Sequence, residues 1–240
     1  MGIYLEFFQI KPLNINTSKE KINLMEAIEC IYSRRSVRKF LDKPVAWDLV
    51  GQILEAGRAA PSAGNLQNWK FIVILDKEKR KSIADVCLQQ YWMANAPVHI
   101  VVCSEPIKGK RFYGIRGERL YSVQNCAAAA ENMLLTAHSL GLGACWIGAF
   151  DEDGLKTTLG IIEEVRPQII LTIGYSDEKP LMPTRYKLEN MVHLEKYGNK
   201  VKDMAVTLGH HYAAVQSGIG KAKEILEKVN RKIQDKIQGK

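Results

Sequence analysis

The chain has 240 residues, of which 46% are hydrophobic and 25% are charged, and its formal net charge is +8. This length suits one large domain or two small ones, and the apolar content supports a substantial core, which argues against a chain that is disordered throughout. Residues 219–240 hold seven basic and three acidic side chains, and therefore carry half of the net charge. The rest of the chain is mildly basic and shows neither zinc-finger spacing nor a basic stretch studded with aromatic residues, which argues against a nucleic-acid partner.

Cysteine usage and hydropathy indicate the compartment. The cysteines lie mostly in apolar runs and form no C-x-x-C pair: Cys30, Cys87, Cys103, Cys126 and Cys145. We expect buried free thiols in a reducing compartment. No apolar run approaches the roughly eighteen residues of a membrane span, and residues 1–10 lack the pattern of a secretory leader. These features predict a cytoplasmic protein with no membrane association.

Apolar periodicity predicts the following elements in chain order. Residues 1–23 have no clear period and are expected to form an N-terminal extension. Helical spacing recurs, in chain order, at 25–32, 47–60, 76–90, 118–140 and 151–159. Short apolar runs typical of buried strands lie at 70–75, 98–103, 144–148 and 168–174. Short strands separated by helices indicate an α/β layer architecture.

Charge, capping residues and glycines give further detail on individual predicted elements. The helix at 118–140 has almost no charge, so we expect it to be central, and Gly141 ends it. Asp151 is a suitable N-cap for the helix that follows it. Residues 180–194 are irregular. Residues 201–240 are expected to form a C-terminal helical extension whose apolar stripe packs on a neighbour: Ile219, Ala222, Leu226, Val229, Ile233 and Ile237.

A basic segment follows the first predicted helix. It places Arg34, Arg35, Arg38 and Lys39 around the hydroxyl of Ser36. Guanidinium groups beside a hydroxyl suit a phosphate, because they offer charge-assisted hydrogen bonds in a fixed geometry. The alternative is a solvated basic surface turn.

A polar loop joins the second predicted helix to the first predicted strand. Its sequence, P-S-A-G-N-L-Q-N-W at 61–69, concentrates more donors and acceptors than a simple turn requires. The alternative is a Pro-Ser-Ala-Gly turn whose Asn and Gln side chains cap the flanking elements. Together with the basic segment, the loop suggests a ligand that carries an anionic group.

These two segments resemble the N-terminal signatures of the FMN-dependent nitroreductase family. The resemblance rests on R-R-S-V-R-K-F at 34–40 and P-S-A-G-N-L-Q-N-W at 61–69, and it extends over 24–192 through G-L-G at 141–143, W-I-G at 146–148 and R-Y-K at 185–187. It implies an α+β, three-layer α-β-α fold with a central mixed, mainly antiparallel sheet flanked by helices. It further implies that 24–200 is an FMN-binding domain and that the protein is a domain-swapped-type homodimer.

The resemblance also implies a site shared between two chains. The first chain would contact the phosphate, ribityl and pyrimidine groups of FMN through Arg34, Arg35, Ser36, Arg38, Arg185 and Lys187. The second chain would line the isoalloxazine with Pro61, Ser62, Ala63 and Asn65. A backbone N–H at Ile147–Gly148 would reach the N5/O4 edge. Asn68 stands where many relatives have proline, which leaves the contact made by Gln67 open.

The implied activity is that of an FMN-dependent NAD(P)H oxidoreductase. It would take a hydride from NADH or NADPH onto flavin N5 and pass it to a nitroaromatic, a quinone, a flavin or a related small molecule by a ping-pong mechanism. No catalytic side chain is required, because the flavin performs the chemistry. The segments 91–93 and 111–113 are candidates for substrate selection, and Gly109 and Gly114 would let the second move as a lid.

Two alternatives stay open. One is a specialised branch of the family, such as a dehalogenase, an enoate-type reductase or a flavin-cleaving enzyme. The other is a binding or scaffold protein that docks an acidic partner or nucleic acid through its basic tail at 219–240, with an incidental flavin site. No metal site is expected, because His99 and His138 lie in apolar runs and His210–His211 lacks a third ligand at a recognisable spacing.

Overall fold

The computed structural model describes residues 25–201, so the N-terminal extension and the apolar stripe of the basic tail lie outside the described residues. Within that range, the α-helices are α1 (Ala27–Ser33), α2 (Trp47–Arg58), α3 (Lys77–Val86), α4 (Pro106–Arg116), α5 (Ser122–Ser139) and α6 (Glu152–Leu159). The strands are β1 (Trp69–Ile74), β2 (Val98–Ser104), β3 (Gly143–Ile147) and β4 (Arg166–Gly174). Every strand predicted from an apolar run is present.

The four strands form one antiparallel sheet. Their order is β1-β2-β4-β3, so β1 and β3 are the two edges. The basic segment continues the sheet beyond β3, because Ser36 forms a parallel bridge with Ala144 and the Val37 N–H donates to the Ala144 carbonyl at 3.0 Å. The sheet is therefore mixed but mainly antiparallel, as the resemblance implied.

Helices cover both faces of the sheet and create two cores. On one face, α2 and α5 pack on Ile100, Val102 and Leu171. On the other, α3 and α6 pack on Val101 and Ile170. Successive strand residues point to opposite faces, so a sheet covered on both sides requires continuous apolar runs. This burial confirms the three-layer α+β architecture and explains why the strands do not alternate in polarity.

The central helix begins later and is less regular than predicted. α5 is joined to α4 by a wider π-helical turn at Gly117–Tyr121, and α4 is kinked at Tyr113 and Gly114. No helix was predicted between residues 103 and 118, whereas most of residues 105–117 form α4. α3 ends at Val86, not near Gln90, because Leu88 and Gln89 have φ of 54° and 56°, in the left-handed region.

Other local expectations are confirmed. The Asp151 side chain caps α6 by accepting from the Asp153 N–H at 3.2 Å. All five cysteines are buried free thiols, and burial raises the pKa of Cys87, Cys103 and Cys126 to about 12. Such thiols stay protonated and unreactive at neutral pH. No helix among residues 25–201 is long and apolar enough to cross a membrane.

Gly143 permits the close approach of the basic segment to β3. A Cβ at this buried position would lie 2.8–2.9 Å from the branched side-chain carbons of Val37. We therefore expect Gly143→Ala to lower the free energy of unfolding by about 1–3 kcal/mol, because overpacking forces backbone shifts. Urea denaturation measures this change.

Gly51→Ala is the matched control. Gly51 lies in α2, and a Cβ there meets no atom within 4 Å. The added methyl group should raise stability by about 0.5–1 kcal/mol, because alanine loses less backbone entropy in a helix. Equal stability of the Gly143→Ala variant and the parent would contradict the tight contact with Val37.

Candidate functional site

Arg34 and Arg35 follow the end of α1, where the charge of Arg185 also acts on Arg35. The Arg35 Nη1 atom donates to the carbonyls of Tyr32 at 2.7 Å and Arg34 at 2.8 Å, and so satisfies the last carbonyls of the helix. Burial, followed by the positive charges of Arg34 and Arg185, lowers the pKa of Arg35. The structure therefore brings Arg185 within electrostatic reach of the basic segment, although the two are far apart in sequence. This concentration of charge is stabilised by an anion.

A histidine lies beneath this cationic cluster. The Ser33 hydroxyl donates to the Glu29 carbonyl at 2.7 Å and lies 2.8 Å from His138 Nε2. Since the only hydroxyl proton is used, the ring nitrogen must be the donor. Burial, followed by the charges of Arg34 and Arg35, lowers the pKa of His138. His138 is thus a neutral, hydrogen-bonded residue beside Arg34 and Arg35.

The basic segment presents alternate side chains to one side. Val37 is buried, and extended backbone directs neighbouring side chains to opposite sides, so Ser36 and Arg38 face away from the core. Arg34, Ser36 and Arg38 all lie close to Cys145: burial raises the pKa of its thiol, and these three groups partly offset that rise. They therefore meet at the edge of β3.

The loop after β4 holds the basic segment in place. The Leu41 N–H donates to Tyr175 O at 2.9 Å and the Asp177 N–H donates to Lys39 O at 2.9 Å. The Glu178 carboxylate accepts from the backbone N–H groups of Arg38 and Lys39. These bonds use main-chain atoms. The Arg38 side chain is exposed, with its guanidinium 5.9 Å from the ring centroid of Trp92, and the Ser36 side chain is half-buried.

The polar loop is a tight, internally bonded turn. Ser62 Oγ accepts from the Gln67 N–H at 3.0 Å, and the Gln67 amide donates to Asn65 Oδ1 at 3.0 Å. Gly64, Asn65 and Gln67 have φ of 55°, 55° and 46°. Gly64 adopts this conformation readily, whereas Asn65 and Gln67 do so at a cost and persist there only where the surroundings enforce it.

A buried polar network provides that enforcement. Asn68 is fully buried; its Nδ2 donates to Ser122 Oγ at 2.8 Å and its Oδ1 accepts from Asn125 Nδ2 at 2.7 Å. Asn125 Oδ1 in turn accepts from the Ala63 N–H at 2.9 Å. Sequence reasoning missed the roles of Ser122 and Asn125, although two polar residues in an apolar helix were a usable signal.

The loop and the basic segment lie far apart within one chain. The loop leads into β1, whereas Ser36 adjoins β3 at the opposite edge of the sheet. Four inter-strand spacings separate them, or about 19 Å at about 4.8 Å each. They also lie near opposite ends of the sheet. Trp69 pairs with Ser104 at the end of β2, whereas Ala144 pairs with Ile173 near the end of β4, which runs antiparallel to β2. The two groups of predicted site residues are therefore not brought together in one chain.

The remaining predicted positions are more dispersed. Ile147 is buried in the second core, whereas Gly148 is exposed just beyond the last paired residue of β3. Pro61 is exposed at the start of the polar loop. Lys187 is exposed on the irregular segment, and its side chain forms no hydrogen bond or ion pair within residues 25–201. Only Arg185 of that segment is tied to the arginine cluster, through its charge.

Comparison with known proteins identifies relatives of this chain. A family model described as the nitroreductase family matches residues 31–92 and 86–175. A protein of Methanothermobacter thermautotrophicus with the provisional name NADH dehydrogenase/NAD(P)H nitroreductase is 37% identical over 182 residues, which cover 74% of this chain and 91% of that protein. An NAD(P)H FMN reductase of Bacillus subtilis is 29% identical over 188 residues, covering 73% of this chain and 76% of the relative.

A solved structure supports the same grouping. The FMN-dependent nitroreductase of Clostridium difficile R20291 superposes with a TM-score of 0.61 at 28% identity. The match covers 71% of this chain and 99% of that chain.

The Asn68 network yields a test of the loop anchor. Asn68→Ala should lower the free energy of unfolding by about 1–3 kcal/mol for each partner left unsatisfied, because Ser122 and Asn125 would remain buried without it. Thermal or urea unfolding measures the loss. Asn190→Ala is the control, because Asn190 is exposed and its side chain forms no hydrogen bond among the described residues. A loss no larger than in that control would show that Asn68 does not anchor the loop.

Proposed function

Because the chain belongs to the nitroreductase family, we propose that it is an FMN-dependent oxidoreductase that takes a hydride from NADH or NADPH and passes reducing equivalents to a small-molecule acceptor. The observation that carries this proposal is that Arg34, Arg35, Ser36 and Arg38 follow one another on the segment bonded to the edge of β3, where the charge of Arg185 also acts on Arg35. This donor set fits a phosphorylated cofactor, and relatives named FMN reductase and NADPH-flavin oxidoreductase support FMN.

The phosphate would occupy the arginine cluster. Arg34 and Arg185 offer charged hydrogen bonds, and Lys187 joins them from the same exposed segment. Arg35 contributes mainly its charge, because its Nη1 is engaged by two carbonyls. Burial and, after it, repulsion from Arg34 and Arg185 lower the pKa of Arg35, and a bound anion would offset that repulsion. Ser36 and Arg38 would then meet the ribityl chain and the pyrimidine edge of the ring.

The ring system would lie between two copies of the chain. The separation of about 19 Å within one chain prevents a single FMN from contacting both groups of residues. In a homodimer, the loop of the second copy supplies Pro61, Ser62, Ala63 and Asn65, and Gln67 supports Asn65 through its amide. Ile28 and Ile31 on α1 support such an interface, because they are 62% and 53% exposed.

When bound, FMN supplies the hydride and electron transfer chemistry. The protein orients and polarises it. Gly148, exposed after buried Ile147, would offer its backbone N–H to the N5/O4 edge, and the Arg38 guanidinium would place positive charge near the pyrimidine, where reduction builds up negative charge. Donor and acceptor use one face in turn, which predicts ping-pong kinetics with nitroaromatics, quinones or flavins as acceptors.

Absorption spectroscopy of the purified full-length chain tests the proposal. We expect the visible spectrum of oxidised flavin as isolated or after addition of FMN, and anaerobic titration with NADH or NADPH should bleach it. The two titrations also identify the preferred nicotinamide donor. A colourless protein that FMN cannot reconstitute would overturn the proposed function.

A double substitution tests the position of the phosphate. Arg34→Ala with Arg185→Ala should abolish FMN retention, because each change removes a charge-assisted contact of about 1.5–3 kcal/mol. Gel filtration followed by measurement of bound flavin provides the comparison. Lys79→Ala with Arg166→Ala removes the same charge from exposed positions and should retain flavin. Equal flavin content in both double variants would place the phosphate elsewhere.

A further inference from the structure

An exposed, kinked segment of α4 has no role in the proposed cofactor site. Residues 111–116 are all exposed, and the helix breaks where Tyr113 has φ of −131° and Gly114 has φ of 58° with ψ of −150°. Only glycine adopts the latter conformation readily. The break leaves apolar side chains in solvent, with Phe112 67% and Ile115 60% exposed. Neighbouring exposed apolar side chains of this kind are typical of a surface that contacts a ligand or another molecule.

This segment lies directly against the polar loop. A Cβ on Gly64 would collide with the Tyr113 hydroxyl, so the tyrosine rests on the loop backbone. The Tyr113 ring meets Tyr121 edge to face, with centroids 5.4 Å apart. The Arg116 Nε donates to the Tyr121 hydroxyl at 3.1 Å, and its guanidinium lies 5.5 Å from the ring centroid. Arg116, Tyr121, Tyr113 and Gly64 therefore form one continuous series of contacts.

The same segment carries uncompensated positive charge. Five basic side chains and one carboxylate lie between residues 108 and 119. The carboxylate of Glu118 is paired with Lys110, with Nζ and Oε2 3.1 Å apart. The other basic residues form no ion pair within residues 25–201: Lys108, Arg111, Arg116 and Arg119. Aromatic surface and free cations are thus combined next to the loop.

We propose that this segment forms one wall of the acceptor site and selects planar aromatic acceptors that carry a carboxylate, sulfonate or phosphate group. The proposal rests on the proposed function, which places the loop against the flavin ring. Phe112 and Tyr113 offer stacking surface to a planar acceptor. Arg111 and Arg116 attract its anionic group and raise its local concentration. A neutral acceptor of the same shape gains only the stacking.

A matched pair of quinones distinguishes the effect of the acceptor's charge from the effect of its shape. 1,4-Naphthoquinone is neutral, and its 2-sulfonate adds one negative charge to the same ring system. In the step measured, the quinone gains a hydride from the reduced cofactor and a proton from solvent to become the hydroquinone, and the cofactor returns to its oxidised form. Flavin-loaded full-length protein is reduced with dithionite beforehand, so that nicotinamide binding does not enter the rate.

The readout is the ratio of the second-order rate constants for the sulfonate and the neutral quinone. Arg111→Gln with Arg116→Gln should lower this ratio about tenfold at low ionic strength, because the local cationic field is lost. Lys77→Gln with Lys79→Gln removes the same charge from exposed positions on α3 and should leave the ratio unchanged. A ratio that is equal in the two double variants overturns the acceptor proposal.

The unaltered protein provides a second measurement, which does not depend on the folding of any variant. Raising the ionic strength from 0.1 M to 1 M shortens the Debye length from about 10 Å to about 3 Å. The rate with the sulfonate should then fall more steeply than the rate with the neutral quinone, and equal salt dependence overturns the acceptor proposal. A protein without flavin absorbance before mixing would instead overturn the proposed function on which this proposal rests.

Discussion

The hydrogen bond between the Val37 N–H and the Ala144 carbonyl determines the geometry of the cationic half of the site. It fixes an extended segment at the edge of β3, and this segment buries Val37 while Ser36 and Arg38 face outward. Such close packing is possible only because Gly143 has no side chain. Arg34 and Arg35 follow the C-terminal end of α1, where the partial negative charge of the helix offsets part of the cost of gathering cations.

The order of the strands divides the candidate site into two halves. β1 and β3 are opposite edges of one sheet, so the polar loop and the basic segment cannot face each other within a chain. The loop is nevertheless held rigidly by the buried network of Asn68, Ser122 and Asn125. In the proposed homodimer, a preformed half-site at each edge would lower the cost of binding, because neither half would have to reorganise when the ring system binds. The kinked α4 then borders the half-site that carries the loop.

Sequence reasoning succeeded where a long pattern repeated. The buried strands and the helices α2 and α5 were predicted because burial requires an unbroken series of apolar residues or a helical stripe. It failed where the determinant was local backbone geometry or solvent exposure. α3 ends early because Leu88 and Gln89 enter the left-handed region, and α4 was missed because its apolar residues face solvent and its axis bends at Gly114.

The sequence by itself determined which residues form the layers and that Asp151 caps α6. It also contained the two polar segments whose resemblance to a flavoprotein family predicted FMN as the cofactor. These properties depend on neighbours within a few positions, so a linear pattern records them. Only the tertiary structure decided that the strands pair in the order β1-β2-β4-β3, that the charge of Arg185 acts on Arg35, and that Tyr113 rests on Gly64. Each of these relations joins residues far apart in the chain. Their proximity results from the packing of whole elements, which no local spacing encodes.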